Sequence, residues 1–283
     1  MDLKEQRVLK DILQLGGGKH PRKTKIIITD HETGEVLQEV ENKILVPGSQ
    51  ITACKEFGIT PIVNLPTYNT ELKLENSKEP YPETQPTNDP IICLWCVGRS
   101  GAGPSPSDVI VPTTTDRIAP TDDIVPFRYV NADNDLPSDL RDEYYGRAVD
   151  EDGMISYYFK AFDTEPQLHV RYLDGTEVTE NMYTVDSSQQ VEVYVEVRLA
   201  LTRIDLRDYF DQVLGWDKAN INCISLCTAW FDDTIAENPD APEEDQVKYK
   251  WYQDILPFSK LNFQAIDMID LNRAIDFNYQ VYY

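Results

Sequence analysis

The sequence contains no long apolar run. No stretch reaches the ~20 consecutive apolar residues that a membrane-spanning helix needs. The first residues, Met1 to Arg7, also lack the apolar core of a signal peptide. We therefore expect a protein without membrane contacts that is made and folded in a cytoplasm.

Positive charge is scarce. The chain has 26 Lys and Arg residues against 49 Asp and Glu residues, which gives a net charge of −23. A field of this sign repels nucleic acid, and binding to a phosphate backbone requires clustered cations. One basic run is either a contact for nucleic acid or an acidic partner, or a solvated loop before a strand: Lys19, His20, Arg22, Lys23 and Lys25. We favour the loop and expect no specific nucleic-acid binding.

Signals for catalysis are equally sparse. The three histidines, His20, His31 and His169, show no spacing to a serine or cysteine that would indicate a catalytic triad. With 49 acidic residues, carboxylate pairs arise by chance and carry no information about glycoside hydrolysis. The glycine-containing loop Arg99 to Ser105 lacks the Lys-Ser/Thr pair of a phosphate-binding loop, and Pro104 removes a donor there. We predict no catalytic or cofactor-binding residue, hence no enzyme.

The five cysteines cannot all pair within one chain, because their number is odd. Cys93 and Cys96, with Cys223 and Cys227, could supply four thiolates to zinc. Both pairs, however, lie inside apolar runs rather than polar turns, and Cys93 and Cys96 should face opposite sides of a strand. We predict buried, reduced core thiols and no metal ligand.

Two acidic clusters could supply oxygen ligands to calcium. One contains Asp133, Asp135 and Asp139, and the other runs from Asp150 to Asp152. Neither has the glycine and closing glutamate of an EF-hand loop. We favour solvated turns, with calcium at a subunit contact as the alternative.

The pattern that is present is alternation. Val191, Val193, Val195 and Val197 point to one face of a strand spanning 190–206, and polar residues point to the other. Similar signals predict further strands at 24–30, 35–42, 90–98, 127–130, 154–161, 169–173, 221–231 and 273–283. Apolar spacing, caps and glycine stops predict short helices at 3–15, 49–57, 138–145 and 206–214.

Together these elements predict a mainly β protein, an antiparallel β-sandwich in one domain over 1–283. The parts are an N-terminal helix and hairpin (1–58), two long Pro-rich arms (64–90 and 99–126) and C-terminal core strands (190–283). Strands 90–98, 191–201, 221–231 and 273–283 should supply the core. The arms either lie on a neighbouring subunit or are ordinary surface loops.

Two segments resemble structural proteins of tailed-bacteriophage virions, of the neck, collar and tail-associated class. Residues 24–58 give a strand, the Glu32-Thr-Gly-Glu35 turn, a second strand, Asn42-Lys-Ile-Leu-Val-Pro-Gly48 and a helix. Residues 221–283 give an apolar strand, Phe258-Ser-Lys-Leu-Asn-Phe263 and a final alternating strand.

The resemblance implies a non-enzymatic structural subunit that is assembled in the host cytoplasm and resides in the virion. Its partners would be copies of itself, arranged in a ring, and other virion proteins. The alternative is a fibre-associated or receptor-recognising sandwich that binds host glycan through aromatic side chains such as Tyr249, Trp251 and Tyr252.

Overall fold

The fold is mainly β, as predicted. The computed structural model describes residues 23–43, 68, 72–74, 91–99, 102–104, 110–112, 123–137, 140, 143–172, 176, 191–202, 204–236, 248–268 and 274–282. Its strands are β1 (Lys23–Asp30), β2 (Val36–Lys43), β3 (Ile91–Gly98), β4 (Ala102–Pro104), β5 (Ile110–Pro112), β6 (Ile124–Val125), β7 (Arg128–Asn131), β8 (Tyr144–Val149), β9 (Met154–Ala161), β10 (Gln167–Tyr172), β11 (Val191–Leu201), β12 (Asn220–Ala236), β13 (Lys248–Asp267) and β14 (Ile275–Tyr282).

The strands form two larger antiparallel sheets. Sheet A has the order β10-β11-β14-β1-β2, and sheet B has the order β13-β12-β3-β9-β7. In sheet B, β6 also pairs with β3 and β8 pairs with β9. Strands β4 and β5 form a separate two-stranded sheet. Every ladder between these described strands is antiparallel. The chain passes from sheet A to sheet B between β11 and β12, and returns to sheet A between β13 and β14.

The predicted hairpin at the start of the described chain is confirmed as β1 and β2. Asp30 ends β1, and its Oδ1 accepts hydrogen bonds from the backbone N–H groups of Glu32 (3.1 Å) and Thr33 (2.9 Å). Gly34 closes the turn with a φ of +70° and donates its N–H to Asp30 O. The chain reverses here because the short Asp30 side chain accepts backbone hydrogen bonds of the turn and because Gly34 tolerates a positive φ.

The core lies between the two sheets. Sheet A contributes its alternating apolar face, including Val197, Leu199 and Phe277, and sheet B contributes Trp95 and Phe263. Phe277 packs against both of the latter, with ring centroids 6.1 Å from Trp95 and 6.0 Å from Phe263. The four strands predicted to supply the core all contribute to this cluster.

A second apolar cluster covers the opposite face of sheet B. Tyr68 and Leu74, from the segment predicted to be an arm, are buried there against Leu94 and Phe159. This part of the 64–90 arm therefore packs on its own chain. The 99–126 arm is likewise not structureless, because β4, β5 and β6 lie within it.

The predicted helix at 138–145 is wrong at its C-terminal end, where β8 begins. Tyr144 packs in the core between the sheets and Tyr145 in the second cluster. A strand that is buried on both faces shows no alternation, so the sequence signal was lost. Gly146 does not end a helix: its φ of +68° lies inside β8, and it faces the Phe159 ring.

The helix predicted at 206–214 is confirmed as α1 (Arg207–Tyr209), continued by a π-helical turn (Phe210–Leu214) and ended by Gly215 at a φ of +80°. In the described part of the chain, no helix is long and apolar enough to cross a bilayer. The helices predicted at 3–15 and 49–57 lie outside the described residues.

Candidate functional site

Among the described strands, β12 and β13 form the longest hairpin, and it continues past the end of β3. Residues 223–229 of β12 lie between β13 and β3, because the β3 ladder runs only from Gly98 to Ile91. Beyond Ala229, β12 continues to Ala236 and pairs with residues 248–253 of β13. Among the described strands nothing else pairs with this part, which we call the ribbon (residues 230–236 and 248–253).

The ribbon is unusual in length and composition. β12 has 17 residues and β13 has 20, whereas strands in globular proteins average about 5–6. Its ladder pairs Phe231 with Tyr252 and Asp232 with Trp251, so aromatic residues are concentrated on both strands. Register shifts interrupt the ladder between Thr228 and Trp230 and between Asp232 and Ile235. Such bulges increase strand twist and re-aim the strand.

The other end of β13 is anchored to sheet A. The Gln264 N–H donates to Gln38 Oε1 (3.0 Å), and Gln38 Nε2 donates to Gln264 O (2.9 Å). One amide side chain of β2 thus supplies the donor and acceptor that a neighbouring strand would supply. Pro257 is tolerated within β13 because β13 is an edge strand of sheet B.

A buried polar centre lies where β9, β8 and the end of β11 meet. The Lys160 Nζ is 3.2 Å from Asp205 Oδ2, and the two side chains are 2% and 0% exposed. Asp205 Oδ1 accepts from the Tyr144 hydroxyl at 2.7 Å. Its Oδ2 also accepts from the Thr202 N–H (2.7 Å) and the Thr202 hydroxyl (2.8 Å). We refer to these four residues with Asp163 as the polar centre.

The backbone around Asp205 explains its position. The Asp205 N–H donates to Thr202 O, which closes a tight turn after β11. Leu206 follows in the left-handed region, with a φ of +66°, and donates its N–H to Phe127 O at 2.7 Å. This turn redirects the chain from sheet A into α1 and holds the Asp205 carboxylate inward.

No sequence pattern pointed to the polar centre. Lys160 and Asp205, its two fully buried charged residues, are 45 positions apart, and each is of a common type. The one available signal was Lys160 itself, a cation within the run Tyr157-Tyr-Phe-Lys-Ala161, where alternation placed it in a strand with buried neighbours.

The described cysteines lie in or beside the second apolar cluster. Cys96, Cys223 and Cys227 are buried there, and Cys93 packs at its edge. The expectation that Cys93 and Cys96 face opposite sides does not hold, because the β3–β12 ladder shifts register beside Cys93. Burial raises the pKa of the Cys93 and Cys96 thiols, so they stay protonated. Cys54 lies outside the described residues.

The two acidic clusters form turns and ion pairs. Asp135 accepts from the Tyr157 hydroxyl (2.6 Å) and lies 3.3 Å from Arg147 Nε. Asp150 accepts the backbone N–H groups of Asp152 and Met154. Asp139 lies outside the described residues. Where the structure describes the chain, no group of three or more His, Cys, Asp or Glu side chains is arranged to hold a metal ion.

The histidines serve different contacts. His31 Nδ1 is 3.0 Å from Asp276 Oδ2, which also accepts from Arg198 Nη2 at 2.6 Å. The His169 ring stacks on Tyr194, with centroids 4.8 Å apart. His20 lies outside the described residues.

The remaining candidates fall on strands. Pro104 belongs to β4, so the described residues 102–104 of the glycine-containing loop form a strand and not the start of a helix that could cradle a phosphate. Arg99, at the start of that loop, pairs with Asp123 and donates to Lys218 O. Tyr249, Trp251 and Tyr252, the aromatic residues considered for glycan binding, all belong to β13 in the ribbon.

Comparison with protein-family models, curated proteins and solved structures finds no match to this chain. Function must therefore be argued from the ribbon, the polar centre and the sequence itself.

Proposed function

We propose that this protein is a non-enzymatic structural subunit of a tailed-phage virion, in the neck, collar or tail, which binds copies of itself and neighbouring virion proteins. The single observation that carries the proposal is the ribbon. A two-stranded ribbon by itself is at best marginally stable in water, so one that continues beyond its pairing with β3 is best explained by a partner that completes it.

The composition of the ribbon supports a binding role. Its strands carry Trp230, Phe231, Tyr249, Trp251 and Tyr252 within thirteen described positions. Trp and Tyr are enriched at the centres of protein interfaces, where they contribute most of the binding energy. Backbone donors and acceptors at a ribbon edge add the main-chain pairing of strand addition.

The rest of the chain supports a scaffold. The sandwich is built on one core between the sheets with a second cluster behind sheet B, and the ribbon continues two of its strands. The resemblance of residues 24–58 and 221–283 to tailed-phage virion proteins supplies the particular setting. With a net charge of −23, a surface lining a channel would also repel DNA during its passage.

Assembly by the purified protein tests the role of the ribbon. Replacing Phe231, Trp251 and Tyr252 by threonine keeps β-propensity but removes the three aromatic rings. We expect the wild-type protein to sediment as an oligomer and the triple variant as a folded monomer. Leu168→Thr is the matched control, because Leu168 is an exposed apolar residue on β10 at the edge of sheet A. Equal assembly by wild type and triple variant contradicts a role for the ribbon.

The virion setting needs its own measurement. We expect mass spectrometry of particles purified from the virus that encodes this chain to detect the protein in fixed stoichiometry with other structural proteins. Its absence from purified particles contradicts the proposal, whatever the purified protein does in solution.

The second candidate function is a receptor-recognising module that binds host glycan. It is favoured by one observation, the concentration of Tyr249, Trp251 and Tyr252 on one strand of the ribbon. Aromatic faces stack on sugar rings, so this role predicts saturable glycan binding by the isolated protein. Deletions within 64–90 do not separate the two roles, because Tyr68 and Leu74 are buried on sheet B and their loss should destabilise the fold in either case.

A further inference from the structure

The polar centre brings a primary amine and a carboxyl group together inside the protein. Lys160 lies at the end of β9 in sheet B, and Asp205 follows β11 of sheet A. Both side chains are shielded from water, and the Lys160 Nζ also contacts Ala200 O at 3.0 Å. The Tyr144 ring adds an aromatic wall 5.8 Å from the same nitrogen.

A second carboxylate stands beside the amine. Asp163 Oδ1 is 3.4 Å from the Lys160 Nζ, and the Ala200 N–H donates to Asp163 Oδ2 at 2.8 Å. Unlike Asp205, the Asp163 side chain is 31% exposed. It therefore connects the buried amine with solvent and can pass protons, while the pair of reacting groups stays covered.

We propose that Lys160 and Asp205 form an intramolecular amide bond, an isopeptide cross-link between the two sheets of the sandwich. The Lys160 Nζ attacks Asp205 Cγ, the new N–C bond forms, and the Cγ–Oδ2 bond breaks. In the neutral forms, the Lys160 amine gives up one of its two hydrogens and the Asp205 acid gives up its hydroxyl group, and the two leave together as one water. Lysine amine and aspartic acid thus give amide and water, with no oxidant, reductant or cofactor.

The hydrogen bonds around Asp205 suit the two carboxyl oxygens to different tasks. Oδ1 receives the Tyr144 hydroxyl, a donor placed to stabilise negative charge on the oxygen that stays. Burial, and after it the Asp205 carboxylate, raises the pKa of Tyr144, so the hydroxyl keeps its proton. Oδ2 receives the Thr202 N–H and hydroxyl and can leave as water.

The condensation starts from the neutral amine and the neutral carboxylic acid. Proton transfer along the 3.2 Å hydrogen bond gives the neutral amine and carboxylic acid that condense. Asp163 then accepts the second amine proton and delivers it to the departing oxygen, as a general acid–base.

This inference does not depend on the proposed virion role, although a covalent bond between sheets suits a protein that bears load. The link would close the 45-residue segment between β9 and the turn after β11. Heat and denaturant do not break an amide bond. The two sheets would therefore stay joined at Lys160 and Asp205 even when the rest of the chain unfolds.

Mass spectrometry of the intact 32.5 kDa chain tests the proposal directly. We expect wild-type protein, incubated folded and then denatured, to weigh one water less than its sequence. Proteolysis should yield one branched peptide joining Lys160 to Asp205. Lys25 and Glu39 are the internal control: their ion pair is shorter, at 2.6 Å, but Glu39 is 55% exposed, and their peptides should be recovered separate.

Variants assign the roles. Lys160→Met and Asp205→Ala should keep the full sequence mass, and Asp163→Asn should slow the loss of water by about a hundredfold, the effect of removing a general acid–base. A wild-type mass equal to the sequence mass after prolonged incubation in the folded state overturns the proposal, even if every variant fails to fold. Loss of water that persists in Lys160→Met overturns it as well.

Discussion

Ser259 on β13 and Tyr279 on β14 join the two sheets through a hydrogen bond of 2.6 Å between their hydroxyl groups. Both residues are fully buried, and both lie among the apolar side chains of the main core. A polar contact at the centre of a sandwich fixes how the sheets sit on each other, because leaving either hydroxyl without a partner is costly.

The first prediction concerns this pair. Tyr279→Phe should lower the free energy of unfolding by about 1–3 kcal/mol, because it removes a buried hydrogen bond and leaves the Ser259 hydroxyl behind. The measurement is urea denaturation of Tyr279→Phe, Ser259→Ala and the double variant. We expect the double variant to lose less than the sum of the two single losses. Strict additivity would show that the two hydroxyls do not interact in solution.

The second prediction concerns alkaline pH. Burial raises the pKa of Tyr279 and of Tyr144, so the folded protein holds these protons where the unfolded chain releases them, above a pH of about 10. Their contribution to stability is complete below that pH and is lost as pH rises toward the folded values. Urea denaturation at increasing pH should show this fall, and the fall should be shallower in Tyr279→Phe. A free energy of unfolding that stays constant well above pH 10 contradicts it.

Sequence patterns predicted the strands that have one clear buried face. β9 was predicted with its observed ends, and β11 followed from the valine alternation. β8 was missed because it is buried on both faces, and β13 was not recognised as one strand because Pro257 interrupts it. Both failures have the same origin. Alternation of apolar and polar residues predicts strands with one buried face, and it does not predict strands that lack this alternation.

The functional candidates were less predictable. The aromatic residues of the ribbon were visible in the sequence, but the fact that β12 and β13 continue beyond their pairing with β3 depends on where β3 ends. The polar centre depends on a turn that places Asp205 beside Lys160 from a distant part of the chain. Long-range contacts of this kind arise from sheet order, which no local pattern of this sequence fixes.

The third prediction concerns glycine at positive φ. A Cβ at Gly146 would lie 2.3 Å from Phe159 Cδ2, whereas a Cβ at Gly34 would have nothing within 4 Å. Both residues have a similar φ, +68° and +70°. The left-handed conformation costs a residue with a side chain about 1–2 kcal/mol, and overpacking adds about 1–3 kcal/mol.

Gly34→Ala should therefore cost about 1 kcal/mol in the free energy of unfolding, while Gly146→Ala should cost about 3 kcal/mol or prevent folding. Thermal denaturation of both variants measures the difference. Gly34→Ala is the matched control for backbone strain without a clash. Equal losses would mean that Phe159 moves aside freely, contrary to its position in the second cluster.

The fourth prediction concerns the buried thiols. Cys96, Cys223 and Cys227 are covered by Tyr68 and their neighbours in the second cluster, and burial raises the pKa of Cys96. Since the thiolate is the reactive form, these thiols should react with an aromatic disulfide reagent only when the protein opens. In a Cys54→Ser background, which leaves the four described cysteines, we expect slow release of the coloured product from native protein and rapid release in denaturant.

The Tyr68→Ala variant tests whether Cys96 is buried by Tyr68 or by the strands of sheet B alone. Removing the ring should expose Cys96 and speed its reaction in native conditions, while Phe127, on the other side of the sheet, stays in the main core. Rapid labelling of the unsubstituted native protein at all four sites would contradict the packing of Tyr68 and Leu74 on sheet B. It would return the 64–90 arm to the alternative in which it reaches a neighbouring subunit.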